Sequence, residues 1–494
     1  MRDSEKHGST AGLPRPSRRR VLGSLGATLG LPLLEDAASL FNVPALAEGN
    51  PQPVPTEAQT RATALIEGPA GTIPDYFMGL AYEKGDLVSD VLFTGANMSL
   101  AGLFNRLGNG VLAIGGNSLD TTVWTADGMG NTAGQVSPVD VDNLADFLAL
   151  TNWKLLYGVN LATSTPALAA AEVAYVQATL GNVVIGYEIG NEPDEYYLSY
   201  FPNGWDLSAF QALWEEFQSA ILAATPSAVI TGPAASGNVT TWTVPFILSS
   251  TGNLISLVTQ HYYRGNGHNV NATVSNLVSA DPNIIAECVA LKWSEYVRKT
   301  PFRFTETNSY LYGGSPGVSN AYASALWVID HLFRIALGGG SGVNMQGGDA
   351  SYYTPIANQG SAVLEARPEY YGLLFFSLAG QGTLLQTKLS VTNFNATMYA
   401  VLTASGVTNI VIVNKEVYSS LKITIECGKT INGASVIELR NTDLAATTGQ
   451  TIQGGTVAVD GSFTLGAPYA PENISSSWVT CYVPAISAVL LQIF

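Results

Sequence analysis

Histidine and cysteine are scarce in this chain, with four and three in 494 residues, and basic residues are few: 22 Lys and Arg stand against 38 Asp and Glu. Each shortage removes a class of function. The four histidines, His7, His261, His268 and His331, show no HExxH or other ligand spacing, so no metal site is expected, and His261 is expected to pack or to support a site. Three cysteines allow at most one internal disulfide. If one forms, Cys427 and Cys481 are the expected pair, and Cys288 is expected to be a buried helix residue. A net charge of −16, with no basic run after Arg20, excludes a surface that neutralises phosphates, so no nucleic acid partner is expected. The Gly338-Gly339-Gly340 run follows a helical pattern and lacks a P-loop lysine, which excludes nucleotide binding there and leaves no cofactor implied.

Long apolar runs are lacking as well. The most uniform one, Val21 to Leu34, has 14 residues and is too short to span a bilayer. It follows Ser17-Arg18-Arg19-Arg20-Val21-Leu22 and precedes Ala45-Leu46-Ala47, the order of a twin-arginine export signal with an A-x-A cleavage site. Residues 1–47 are therefore expected to be a leader and the protein to work outside the cytoplasm. Without them, six basic and four acidic residues fewer leave 16 against 34, or −18.

What is present in abundance is alternation. Short apolar runs at 76–82, 111–115, 154–160, 183–189, 228–234, 257–263, 302–306 and 342–347 are separated by helical patterns, the clearest at 207–224, 284–298 and 320–337. Eight such units predict a (β/α)8 barrel over residues 73–379, with its active site at the C-terminal ends of the strands. From 380 to 494 the chain turns Thr/Val/Ile-rich, alternating and punctuated by Gly, which predicts an antiparallel β-sandwich. The strand-like ATALIEG at Ala62, within a linker over 48–72, is expected to join that sandwich from the other end of the chain.

Two acids stand where barrel chemistry would need them. The run NVVIGYEIGNEPDEYY, residues 182–197, ends the fourth strand with Asn191-Glu192-Pro193, where Pro193 removes a backbone donor and fixes Glu192 at the exit. Alternation turns Glu188 away from Asn191, so Glu188 and Glu192 need not be partners. In FRFTETNSYLYGG, Glu306 follows the seventh strand, across the mouth from the fourth. Facing carboxyls about 5 Å apart suit retaining glycoside hydrolysis, one attacking the anomeric carbon while the other protonates the leaving oxygen. Asn191 can bind the sugar 2-hydroxyl. Glu83, Asp120 and Tyr262, after strands one, two and six, are candidates for other sugar hydroxyls.

An NEP after strand four with a Glu after strand seven resembles the large clan of retaining barrel glycosidases. The run TETNSYLYGGSPGVSNAYASALWVIDHL, with AIGGNSLD at Ala113, YGVNL at Tyr157, QHYY at Gln260 and EYYGLLFFSLAG at Glu369, further resembles the heparanase-like β-glucuronidases of glycoside hydrolase family 79. The resemblance implies Glu192 as acid/base, Glu306 as nucleophile, and a glucuronate carboxylate held by tyrosine hydroxyls and backbone amides. The matching positions are Tyr312, Gly313, Gly314 and Tyr353 or its neighbour Tyr352; Leu311 lengthens the segment before the glycines relative to heparanase. The expected partner is a carbohydrate carrying terminal glucuronic acid. Endo cleavage of a sulfated polysaccharide fits the acidic balance less well, and a neutral-sugar glycosidase or a non-catalytic carbohydrate-binding protein remain the other readings.

Overall fold

The computed structural model describes residues 49–88, 91–237 and 239–494; the expected leader lies outside them. Eight strands close into a parallel barrel: Met78–Glu83, Val111–Gly115, Lys154–Val159, Val184–Ile189, Ile230–Ala235, Leu257–Asn266, Phe302–Leu311 and Gly342–Gln346. They are barrel strands one to eight below. Strand eight returns to strand one, Val343 opposite Met78, and this pairing removes the last free edge. All eight fall where the alternation predicts them.

Strands six and seven run further than expected, each ten residues long. Strand seven also carries an extra residue: Phe304 pairs with Gln260 but Glu306 with His261. This bulge lets two successive side chains, Thr305 and Glu306, face the barrel interior, which regular alternation forbids. Arg303 faces the interior below them, where its guanidinium donates to Asn344 Oδ1 at 2.6 Å and to the Tyr76 carbonyl at 3.0 Å.

The helices form where caps and apolar spacing agree. Asp206 accepts from the Ala209 N–H at 2.9 Å and starts Leu207–Ala224, a cap that stabilises by about 1 kcal/mol. That helix buries Phe210, Trp214, Phe217 and Ile221, one face at helical spacing, toward the barrel. Tyr322–Leu337 differs, being buried on nearly every side. The barrel covers one face and the C-terminal domain the other, with Phe333 stacked on Tyr399 at 4.5 Å between ring centroids.

The C-terminal domain is one ten-stranded sheet folded over its own core. In Thr408–Asn414, Ile410 and Ile412 point into that core while Val411 and Val413 point toward the barrel, so a period of two yields burial on both faces. The N-terminal strand Ala58–Ile73 joins the sheet as expected. It pairs antiparallel with Gly382–Ser390 but parallel with Ser419–Glu426, so the sheet is not wholly antiparallel. Cys427 and Cys481 are not bonded to each other, and all three cysteines are free and buried. Register explains it: Cys481 pairs with Ile423, four residues from Cys427, and the Cys427 N–H bonds the Ser477 carbonyl. Four strand residues span about 13 Å, well beyond what a disulfide bridges.

Candidate active site

Strand four delivers Glu192 through a short, heavily braced exit. Gly190 has φ +89°, and a Cβ there would lie 2.9 Å from the Tyr196 hydroxyl, so the turn requires glycine. Glu192 is itself left-handed, at φ +49° and ψ +52°, a conformation costing about 1–2 kcal/mol outside glycine. Its N–H is held by the Ala234 carbonyl at 2.9 Å. Four further hydrogen bonds fix the loop. Asp120 accepts from the Tyr196 hydroxyl at 2.6 Å and from the Asn191 N–H at 3.3 Å. Asp194 accepts from the Ser236 N–H at 2.9 Å, and the Trp205 indole donates to the Pro193 carbonyl at 2.7 Å.

Opposite, the bulge in strand seven turns Glu306 inward, where the Tyr263 hydroxyl donates to its Oε1 at 2.7 Å. His261 lies between the two acids, with Nδ1 3.0 Å from Glu192 Oε1 and 3.9 Å from Glu306 Oε2. A ligand atom from each of Glu192, His261 and Glu306 lies within 4.8 Å of the others. Below them Glu188, buried in strand four, accepts from the Thr305 hydroxyl at 3.0 Å.

The charges of this cluster are interdependent. Burial pushes the Glu306 carboxyl up to about 7; His261 opposes the rise and Glu192 and Glu83 add to it. For His261, burial alone would disfavour the cation, but Glu306, Glu192 and Glu188 outweigh it and hold the imidazole up at about 9. At that value the imidazole carries its proton at neutral pH. The trio is thus two acids bridged by a cation.

The remaining candidates divide. Tyr353 belongs to the cluster: its ring lies 6.0 Å from that of Tyr263, and Glu306 raises the pKa of its hydroxyl after burial does. Its neighbour Tyr352 is exposed. Gly313 and Gly314 both have positive φ, and the Gly313 carbonyl accepts from the Tyr353 N–H at 3.3 Å. Asn191 is buried beside Glu192. Tyr312 stands on the rim, 66% exposed, stacked on His268 at 5.2 Å.

Three candidates for sugar hydroxyls also bond protein groups. Tyr262 points out of the barrel, because alternation sends His261 and Tyr263 inward; its hydroxyl donates to Asp281 at 2.7 Å and its ring stacks on His331. The residue missed is Tyr263, and the same alternation applied to QHYY would have found it. Asp120 is buried and occupied by Tyr196 and by the N–H groups of Asn191, Leu161 and Ala162. Two of these bonds tie it to the Glu192 loop. Glu83 accepts from Ser118 Oγ at 2.6 Å and from the N–H groups of Ser118 and Asn117.

A large cavity lies away from these acids. A space of about 1150 Å³ lies beneath the barrel, against the C-terminal sheet, lined by Phe77, Met78, Phe376 and Phe494 among others. The arrangement of titratable groups, not cavity size, therefore marks the site.

No family model and no curated protein matches the sequence. Solved structures do match in fold. One is a 4-O-α-L-rhamnosyl-β-D-glucuronidase from Fusarium oxysporum 12S in complex with Rha-GlcA, at TM-score 0.73 and 17% identity over 87% of this chain and 100% of that one. A family 51 α-L-arabinofuranosidase from Bifidobacterium longum matches at TM-score 0.64 and 13% identity, over 90% and 100%. CelM2, a bifunctional glucanase-xylanase from a metagenome library, matches at 0.62 and 13%, over 88% and 99%. This chain has the barrel-plus-sandwich fold of those glycoside hydrolases.

Proposed function

We propose that this protein is a retaining β-glucuronidase that removes terminal β-linked glucuronic acid. The observation that carries the reading is the approach of Glu192 and Glu306, which offer oxygens within 4.8 Å of one another across the mouth. Retaining glycosidases place their carboxyls about 5–5.5 Å apart, whereas inverting enzymes leave room for a water at about 6.5–9.5 Å.

Glu306 acts as nucleophile. Its carboxylate attacks the anomeric carbon while Glu192 gives its proton to the departing glycosidic oxygen, forming a glycosyl ester on Glu306. Glu192, now ionised, takes a proton from water as that water attacks the same carbon and frees Glu306. Two features support this division. The Tyr263 hydroxyl donates to Glu306 and favours its anionic form, against the burial that opposes it. The Glu192 side chain is the more open, 20% exposed against 12% for Glu306, as suits the group that exchanges protons with leaving group and water.

Glucuronate specificity rests on the resemblance to family 79, on the substrate class in the name of the Fusarium protein, and on Tyr353 with the backbone of Gly313 and Gly314 beside the acids. A neutral-sugar β-glycosidase is the competing reading, favoured by the placement of Tyr312 on the rim. Comparing kcat/KM on aryl β-glucuronide and aryl β-glucoside decides between them, and a preference for the glucoside overturns the uronate assignment. The export motifs at Ser17–Leu22 and Ala45–Ala47 support action outside the cytoplasm. Among the described residues no helix is long and apolar enough to cross a membrane.

A further inference from the structure

The helix Pro282–Arg298, which follows strand six, is apolar on two faces. Ile284, Cys288 and Leu291 are buried, as an outer barrel helix requires. On the other side Ile285, Val289, Trp293, Tyr296 and Val297 form a second stripe at helical spacing, and all are exposed: Val289 to 68%, Trp293 to 54% and Tyr296 to 80%. The rings of Trp293 and Tyr296 lie 5.9 Å apart. The patch continues beyond the helix. Arg298 donates to the carbonyls of Ile247, Leu248 and Ser249, and this ties the end of the neighbouring helix Thr243–Leu248, with exposed Leu248, to the C-terminal end of the stripe.

Scattered surface apolars are ordinary, but a contiguous row rich in aromatics is the composition of a contact core. We propose that this stripe is the interface of a two-fold homodimer, the helix packing antiparallel on the same helix of a second copy. Area supports that occupant. A whole aromatic side chain offers roughly 150–250 Å², so Trp293 and Tyr296 with the three aliphatics present on the order of 500 Å² per copy. A two-fold contact then buries about 1,000 Å², the lower limit for a specific interface. Geometry supports it too. The stripe runs from 285 to 297, about 18 Å of helix, and is self-complementary about its midpoint, Ile285 meeting Val297 and Val289 meeting Trp293 across the axis. The helix carries Glu287 and Glu295 against Lys292 and Arg298, so this face adds no net charge to the approach of two copies of a chain carrying −16.

Sedimentation velocity of the full chain from about 1 µM to about 100 µM tests this, a span suited to a micromolar interface. The expected result is a monomer–dimer equilibrium that Trp293→Glu shifts at least tenfold toward monomer, with circular dichroism and glycoside turnover unchanged. Tyr296→Glu gives a second, independent disruption. A monomer throughout that range overturns the proposal, as does a dimer indifferent to both substitutions. A monomer that sediments with phosphatidylcholine vesicles, and loses that binding in Trp293→Glu, assigns the stripe to lipid and overturns it as well.

Discussion

Nδ1 of His261 lies 3.0 Å from the Glu192 carboxylate, and the same ring is within 3.9 Å of Glu306. One buried cation therefore lies against both acids. Burial lifts Glu306 to about 7 and His261 holds it from rising further. With Glu306 as the proposed nucleophile, which must be ionised, activity should fall as pH drops through that value. In His261→Gln the opposing cation is gone, so the acid limb of kcat/KM against pH moves to higher pH. A limb that stays in place or moves down contradicts the coupling.

Adjacent tyrosines of strand six should separate in their effects. Tyr263→Phe removes the donor to Glu306, and a hydrogen bond to a charged group is worth about 1.5–3 kcal/mol, so kcat/KM should fall roughly 10- to 100-fold. Tyr262→Phe removes a bond to Asp281 outside the barrel. It should lower the melting temperature and leave kcat/KM near wild type. Equal losses of activity in the two variants would refute the inward and outward assignment.

Asp120 reaches the Glu192 loop through the Tyr196 hydroxyl and the Asn191 N–H. Asp120→Ala leaves the Tyr196 hydroxyl and the Asn191 N–H buried without their acceptor, at about 1–3 kcal/mol for each unsatisfied group. Thermal unfolding should record that loss, and kcat should drop with KM little changed because the acid is displaced, not the sugar-binding groups. A rise in KM alone would return Asp120 to the sugar.

Glu306 also links pH to stability. Its folded pKa, about 7, is above the ordinary 4.5, so its contribution is fully present below 4.5 and is lost as pH rises through 7. Glu306→Gln removes the buried anion. The variant should therefore melt higher than wild type at pH 8, with the difference shrinking toward zero at pH 4.5. A constant difference across that range contradicts the shift.

Much of this was legible in the sequence because its signals are local. The eight barrel strands, the NEP exit and Glu306 each announce themselves within a few residues. The features that were not legible depend on register. The bulge at Thr305 and Glu306 appears only when strand seven pairs with strand six, and it is what turns Glu306 inward. Parallel pairing of Ala58–Ile73 with Ser419–Glu426, and the four-residue offset that separates Cys427 from Cys481, are likewise properties of the assembled sheet. Tyr263 is the exception: its alternation with His261 is visible in QHYY. Tyr312 reached the rim because a residue at φ +63° turns the chain outward before the glycines.

The most direct measurement is the configuration of the first product. With aryl β-glucuronide as substrate, proton NMR during the first turnovers should show β-glucuronic acid before mutarotation, as two successive displacements at one carbon require. The α anomer appearing first would mean a single displacement by water, and acids this close could not then play the parts given to Glu192 and Glu306.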